Sequence, residues 1–438
     1  MRPIRHYLRL GTHAEKDYLL KLRDYFDGLF LNANLVESTS SSLAVFATTL
    51  GKPYVIDPIT YAFALNPRLL MSQPKSGAAP QLRSTFASLI DRYQLPPDVI
   101  GGRPITTTDL ASEGVWAPFV DAVRQYQADR LTEAIDGDAA FLTASSIDAN
   151  LRLAPEMVIA AYFAEERGSY WSEFNRQSIN RTLERAAQPV AAMLAYDSSR
   201  LSRTEVLSLA TAYSQTNVEE IVVWPADLDE HLASSEELNA YADLVAVLAS
   251  AGKRVIAGFG GFFALSLALR GLVGLSHGIG YGDKRDLQPV LGGGLPPARF
   301  YVRAIRDAVP MGDLALLSAK LDVDEFRRRV CDCTICGQLL DAGGVTGLVE
   351  AFTETEDRAS ARGITAVPTR RVYQMSRFHY VLNRIEEVSD LRQAESFNVV
   401  RDRLVEDADW VRVTLGSQPV EHIARWVAAA DPSRAIGQ

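Results

Sequence analysis

Short apolar, β-branched runs recur between Gly28 and His277 with amphipathic stretches between them, an alternation that calls for a parallel sheet with helical crossovers. Eight runs read as strands: Gly28 to Asn32, Tyr54 to Asp57, Ala140 to Thr143, Val158 to Phe163, Val190 to Tyr196, Glu220 to Trp224, Arg254 to Gly258 and Gly274 to His277. Thr204 to Tyr213, Glu236 to Ser250 and Phe262 to Arg270 carry apolar residues at helical spacing, and Ser202 with Glu205 forms a capping box for the first of them. Leu82 to Tyr93 and Trp116 to Ala134 read as helices in the longer, less regular segment between the second and third strands. The strand count predicts an α/β fold of the (β/α)8 barrel type, with a doubly wound open sheet as the competitor. In such a barrel chemistry sits where strands end, which directs attention to Asn32, Asp57, Ser145, Glu165, Asp197, Trp224, Phe259 and His277.

After Asp283 the alternation stops. A glycine-proline stretch, Gly292 to Pro297, and a short strand-like piece, Phe300 to Val302, lead into a mostly helical remainder. The expected division is a barrel domain over residues 1–290 and a zinc-binding helical module over 291–438. With 438 residues and 47% of them hydrophobic, the chain has ample material for both. No run approaches the ~20 uninterrupted apolar residues of a membrane span, and Met1 to His6 lacks the apolar core of a signal peptide, so the expected compartment is the cytoplasm. A net charge of -9 excludes a uniformly polyanion-binding surface, while local arginine patches remain at Arg299, Arg303, Arg306 and Arg327 to Arg329, and at Arg370, Arg371, Arg377 and Arg384. The alternative for these is solvated helix faces paired with nearby carboxylates.

All three cysteines fall within Cys331-Asp332-Cys333-Thr334-Ile335-Cys336. Thiols this close cannot all satisfy disulfide geometry, and clustered thiolates suit a metal. Zinc takes four tetrahedral sulfur or nitrogen ligands, and the downstream histidines are His379 and His422. His379 is preferred because Arg377 to Val388 reads as a helix that can present one imidazole to the cysteine turn. A closed set of three cysteines and one histidine points to structural Zn2+ rather than to redox chemistry.

A barrel followed by C-x-C-x-x-C and a later helical histidine resembles the tRNA-guanine transglycosylase family, including its bacterial relatives that place deazaguanine bases in DNA. Gly51 to Tyr61 (GKPYVIDPITY) is similar to the family segment in which a strand ends in an acidic residue that contacts the base and an aromatic residue follows to stack on it. The resemblance implies exchange of a guanine-type base for a 7-deazaguanine in tRNA or DNA through a covalent glycosyl-enzyme intermediate, with Asp57 reading the base or acting as general acid/base and Tyr61 stacking. It also implies a structural zinc, and pairing of copies or with a partner subunit through the zinc region.

Three positions depart from the family pattern. Pro58-Ile59-Thr60 replaces a glycine pair after the acidic residue. The last strand carries Ser276 and His277 where the family has its nucleophilic aspartate, leaving Asp283, beyond a glycine-rich loop, as the nearest carboxylate. The interval from Cys336 to His379 is long, implying an insertion around Asp341 to Ala366. The catalytic candidates are therefore Asp57, Asp283 and His277, and the substrate-binding candidates Tyr61, Trp224, Gly258 and Phe259. Gly258 to Phe263 either contacts a ligand through backbone amides or is a tight turn with buried phenylalanines. Competing readings are a catalytically inactive relative that binds nucleic acid or a partner subunit, and a zinc-stapled barrel hydrolase acting on a small metabolite.

Overall fold

The computed structural model describes residues 4–72, 79–96, 103–136, 153–166, 171–280, 282–288, 297–360, 363–415 and 420–436. Among these, eight parallel strands close into a barrel in chain order. They are β1 (Arg5–Leu10), β2 (Gly28–Asn32), β3 (Tyr54–Asp57), β4 (Met157–Ile159), β5 (Val190–Asp197), β6 (Glu220–Ala226), β7 (Arg254–Ala257) and β8 (Leu272–Gly278). The fold class is the (β/α)8 barrel that the alternation predicts.

The strand set needs correction at one place. Arg5–Leu10 was not among the expected strands, yet it closes the cylinder by pairing with β2 and β8, with Tyr7 opposite both Gly28 and Ser276. Its apolar signal is diluted because Arg5 and Arg9 meet carboxylates of other strands: Arg5 pairs with Glu156 (3.2 Å) and Glu220, and Arg9 with Asp57 (3.3 Å). Ala140 to Thr143 and Ser145 lie outside the described residues. Among the described residues the barrel goes from β3 to β4 with Val55 opposite Met157. The Ala160 amide still donates to the Ala191 carbonyl of β5 (3.0 Å), and further along Glu165 bridges Tyr196.

Helices α1 (Lys16–Lys21), α2 (Ala33–Leu50), α3 (Ser84–Arg92), α4 (Glu113–Asp136), α5 (Trp171–Arg185), α6 (Arg203–Ser214), α7 (Ser235–Ser250) and α8 (Phe262–Ser266) connect the strands. The Ser202–Glu205 capping box starts α6, and Ser234 with Glu237 repeats it at α7. Each box satisfies helix-end amides that have no intrahelical partner.

Beyond β8 a hairpin of β9 (Arg299–Val302) and β10 (Asp307–Pro310) precedes α9 (Met311–Ser318), α10 (Val323–Arg329) and α11 (Thr334–Thr353), the last kinked at Gly344. An exposed hairpin, β11 (Thr355–Ser360) with β12 (Gly363–Pro368), falls in the interval expected to hold an insertion. Helices α12 (Arg370–Gln393), α13 (Phe397–Leu415) and α14 (Glu421–Ala430) complete the chain. Helix α12 covers the seam where β1 meets β8: Tyr380 stands edge-on to His277 at 5.6 Å, and Arg392 donates to the Ile4 carbonyl (3.0 Å) and Asp27 (2.6 Å). No helix among the described residues is long and apolar enough to cross a membrane.

Candidate metal centre and barrel mouth

Cys331, Cys333 and Cys336 stand at the turn that begins α11, and His379 reaches them from α12. The four ligand atoms lie within 4.8 Å of one another, and all four residues are buried. The His379 Nδ1 is 3.4–3.5 Å from each sulfur. Its Nε2 lies 2.8 Å from the Tyr301 carbonyl, which can only accept, so the ring proton belongs on Nε2 and the Nδ1 lone pair faces the sulfurs. Phe300 stacks on the ring at 4.0 Å, and Asn383, one turn along α12, donates to Cys331 Sγ (3.2 Å) and to the His379 carbonyl (2.8 Å).

Thiol contacts pull Cys333 down to about 4, whereas burial and the same neighbours push Cys336 up. As thiolates in one dry pocket the three sulfurs would require a cation, and the donor set fits a metal ion. His422, the other candidate, lies elsewhere, bonded to the Ile305 carbonyl (2.9 Å) and edge-on to Trp426.

At the C-terminal mouth of the barrel, Arg9 of β1, Asp57 of β3 and Ser276 of β8 converge. Arg9 Nε donates to the Gly258 carbonyl (2.7 Å) and to Ser276 Oγ (3.0 Å), while Nη1 reaches Asp57 Oδ2 (3.3 Å). The other Asp57 oxygen accepts from the Tyr162 hydroxyl (2.9 Å) and the Ile59 amide (3.1 Å). Tyr61 is 4% exposed, stacked on Tyr162 at 5.7 Å and edge-on to Trp224 at 5.0 Å. Trp224 donates to the Arg285 carbonyl (2.9 Å) and tilts against Phe259. Asp57, Tyr61, Trp224, Gly258 and Phe259 thus form one assembly with Arg9 and Arg285.

His277 and Asp283 are placed apart from it. Alternation along β8 turns Ser276 inward and His277 outward, where its Nε2 meets His6 Nε2 at 2.8 Å beneath α12. Burial pushes His6 down to about 3 and His277 well below its ordinary value, so both imidazoles are neutral. Asp283 accepts from the Tyr380 hydroxyl, and burial raises it against the pull of Arg384 and Tyr380. It shares a pocket with Glu230, Tyr301 and Tyr380, while its neighbours Gly282, Lys284 and Arg285 line the mouth.

Glu230, not singled out by the sequence, fills the start of α8. It accepts from the amides of Gly261 (2.7 Å), Phe263 (2.8 Å) and Ala264 (3.1 Å), and a Cβ on Gly261 would stand 2.6 Å from its carboxylate. The amides of the glycine-rich loop after β7 are therefore occupied, and Phe262 and Phe263 are buried. Arg9 and Arg285 were also missed. Arg9 becomes visible only once Arg5–Leu10 is read as a strand whose alternate residues face inward.

Among the described residues, five of the ten arginines in the two patches pair with carboxylates. Arg303 pairs with Glu386 (2.9 Å), Arg306 with Glu387 and Asp407 (3.3 and 3.2 Å), Arg327 with Asp332 (2.7 Å), Arg329 with Glu406 (2.5 Å) and Arg384 with Glu387 (2.6 Å).

A scan of protein-family models and a search of curated proteins match nothing in this chain. Among solved structures it is similar to 3-dehydroquinate dehydratase from Geobacillus kaustophilus HTA426, at 11% identity and a TM-score of 0.30 over 72% of this chain and 92% of that one. It is also similar to a Cellulomonas fimi endo-beta-1,4-mannanase double mutant, at 12% identity and 0.32 over 67% and 68%. The D-psicose 3-epimerase of Clostridium cellulolyticum H10, solved with D-tagatose, gives 9% and 0.25 over 67% and 88%. Likenesses this low carry no argument about function, and the barrel assignment rests on the strand pairing of the chain itself.

Proposed function

We propose that this protein is a transglycosylase-type barrel enzyme that takes a guanine-type base of tRNA or DNA at the barrel mouth and exchanges it for a 7-deazaguanine, with a structural zinc behind the β1–β8 seam. The observation that carries this reading is the Cys331–Cys333–Cys336–His379 cluster, with its imidazole tautomer set by Tyr301. Three sulfurs and one imidazole form a closed zinc set with no position left for substrate. When bound, the ion supplies cross-linking of α11 to α12, not chemistry. At the mouth, Asp57, which accepts from the Tyr162 hydroxyl, would read a base edge or move a proton. Tyr61 and Trp224, packed against each other beside Asp57, would supply the aromatic wall once a base displaced their mutual contact.

A second reading, a relative that binds nucleic acid without exchanging a base, is favoured by β8. Ser276 and His277 are both engaged in hydrogen bonds, and Asp283 is turned toward Tyr380.

Incubating the full chain with guanine-labelled tRNA or DNA, with and without a deazaguanine base, and trapping covalent adducts separates the two. The enzyme reading expects label release and an adduct abolished by Asp283→Ala or Asp57→Asn. Binding with neither release nor adduct would establish the silent relative instead.

A further inference from the structure

The mouth holds more positive charge than its carboxylates answer. A cleft of 670 Å3 opens over the ends of β8, β1 and β2, lined by Arg9, Lys284, Arg285 and Arg377 among its charged residues, with Glu15 as the acid. Glu15 is occupied, accepting from the amides of Gly11 (2.7 Å) and Thr12 (3.2 Å). Lys284 has Asp229 at 3.2 Å. Arg9 pairs with Asp57 (3.3 Å), and the Arg285 guanidinium lies over the same Phe259 ring as that of Arg9, at 5.7 Å and 3.8 Å.

Arg9 is 8% exposed, and its Nη2 has no hydrogen-bond partner among the described residues. A buried guanidinium donor left unmade is expensive, and a bound acceptor removes the penalty. The group is also held still: its Cζ lies 3.8 Å from the centroid of Phe259 and 4.7 Å from that of Phe30, and both rings line the cleft. A guanidinium fixed between aromatic faces, with a second beside it, suits a tetrahedral oxyanion that accepts several donors at once. The far wall is formed by Gly278, Ile279, Gly280 and Gly282, and the Gly278 amide donates to the Gly282 carbonyl (3.2 Å). A Cβ on Gly282 would stand 3.1 Å from Gly278 Cα, so the backbones of these two glycines approach closely.

We infer that this cleft is a phosphate-recognition site, with Arg9 and Arg285 as its anchoring donors and Arg377 and Lys284 on its rim. Its volume falls in the range of small-molecule binding pockets. Attribution of the phosphate to a nucleotide rests on the function proposed above; the site itself does not. The phosphate is either a terminal monoester or the diester backbone beside a base drawn into the mouth.

Calorimetric titration of the full chain at low salt with inorganic phosphate, guanosine monophosphate, and single-stranded DNA and RNA oligonucleotides tests the site. Wild type binds at least one of them, and Arg285→Gln weakens that binding about tenfold or more, the loss of a charge-assisted hydrogen bond. Arg401→Ala, an exposed arginine on α13, leaves it unchanged. Monophosphate binding assigns the monoester, and oligonucleotide binding alone assigns the diester. Arg9→Lys retains the charge but loses the fork, and weakens binding as well; if that variant does not fold, Arg285→Gln decides. Absence of binding by all four probes, or binding indifferent to Arg285→Gln, overturns the site. Phosphate binding without base exchange would remove the transglycosylase reading and leave the site standing, whereas a trapped adduct with binding indifferent to Arg285→Gln would do the reverse.

Discussion

Extracting the ion from the Cys331–Cys333–Cys336–His379 cluster separates what the metal holds from what packing holds. The cluster joins the turn before α11 to α12, and α12 in turn covers the β1–β8 seam. Closed structural zinc sites of this donor type contribute about 10–16 kcal/mol in small domains at neutral pH. That matches or exceeds the about 5–15 kcal/mol net stability of an ordinary domain. Helix α12 keeps other anchors when the ion leaves: Arg392 on the Ile4 carbonyl, Tyr380 on Asp283, and Glu387 bonded to Tyr301 (2.6 Å) and Arg384 (2.6 Å). Helix α11 and the β11–β12 hairpin have far fewer anchors, and the hairpin is exposed along nearly its whole length.

Metal removal is therefore expected to release α11 and the hairpin first, then loosen β8 and β1, with β5 and β6 protected throughout. Cys333→Ser, which removes one ligand of four, should cost roughly 3 kcal/mol, a quarter of the site's contribution. Hydrogen exchange read by mass spectrometry before and after chelation, with metal content measured in parallel, gives the answer. Unchanged protection of residues 334–353 in a protein shown to have lost its metal would refute the staple.

Burial pushes Glu165 up to about 7 from an ordinary 4.5, so the fold favours its neutral form. Its contribution is fully present below pH 4.5 and is lost as pH rises through 7, on the order of 3 kcal/mol. Glu165→Gln should abolish that part of the pH dependence in urea melts at pH 5 and pH 8, and an identical slope in the variant would refute the assignment. Glu230→Ala leaves the Gly261, Phe263 and Ala264 amides without their acceptor and should destabilise the protein by roughly 2–4 kcal/mol in the same assay. Ser202→Ala removes half of the α6 capping box, and its expected loss is about 1 kcal/mol; a neutral result would show that α6 is held by packing alone.

Features written in local spacing were legible without the structure. The α6 capping box follows from Ser202 and Glu205 standing three residues apart, and the metal set from thiols crowded into one turn with a helical imidazole downstream. The barrel class followed from runs such as Val190 to Tyr196 and Glu220 to Trp224, because a strand buried on both faces must be apolar along its length. Arg5–Leu10 escaped the same reading because its inward positions carry Arg5 and Arg9, whose compensating carboxylates come from distant strands.

Only the closed barrel decided the rest. Arg9 and Asp57 are 48 positions apart, and His6 and His277 are 271 apart. Which of Ser276 and His277 faces inward is fixed by the register of β8 on β1, and Asp283 turns to Tyr380 because α12 lies across that seam. Periodicity reports which face of an element is apolar; it carries no record of which distant charge will stand opposite. The sequence by itself determined the barrel class and the four residues that could hold a metal, and tertiary closure decided the electrostatics of the mouth.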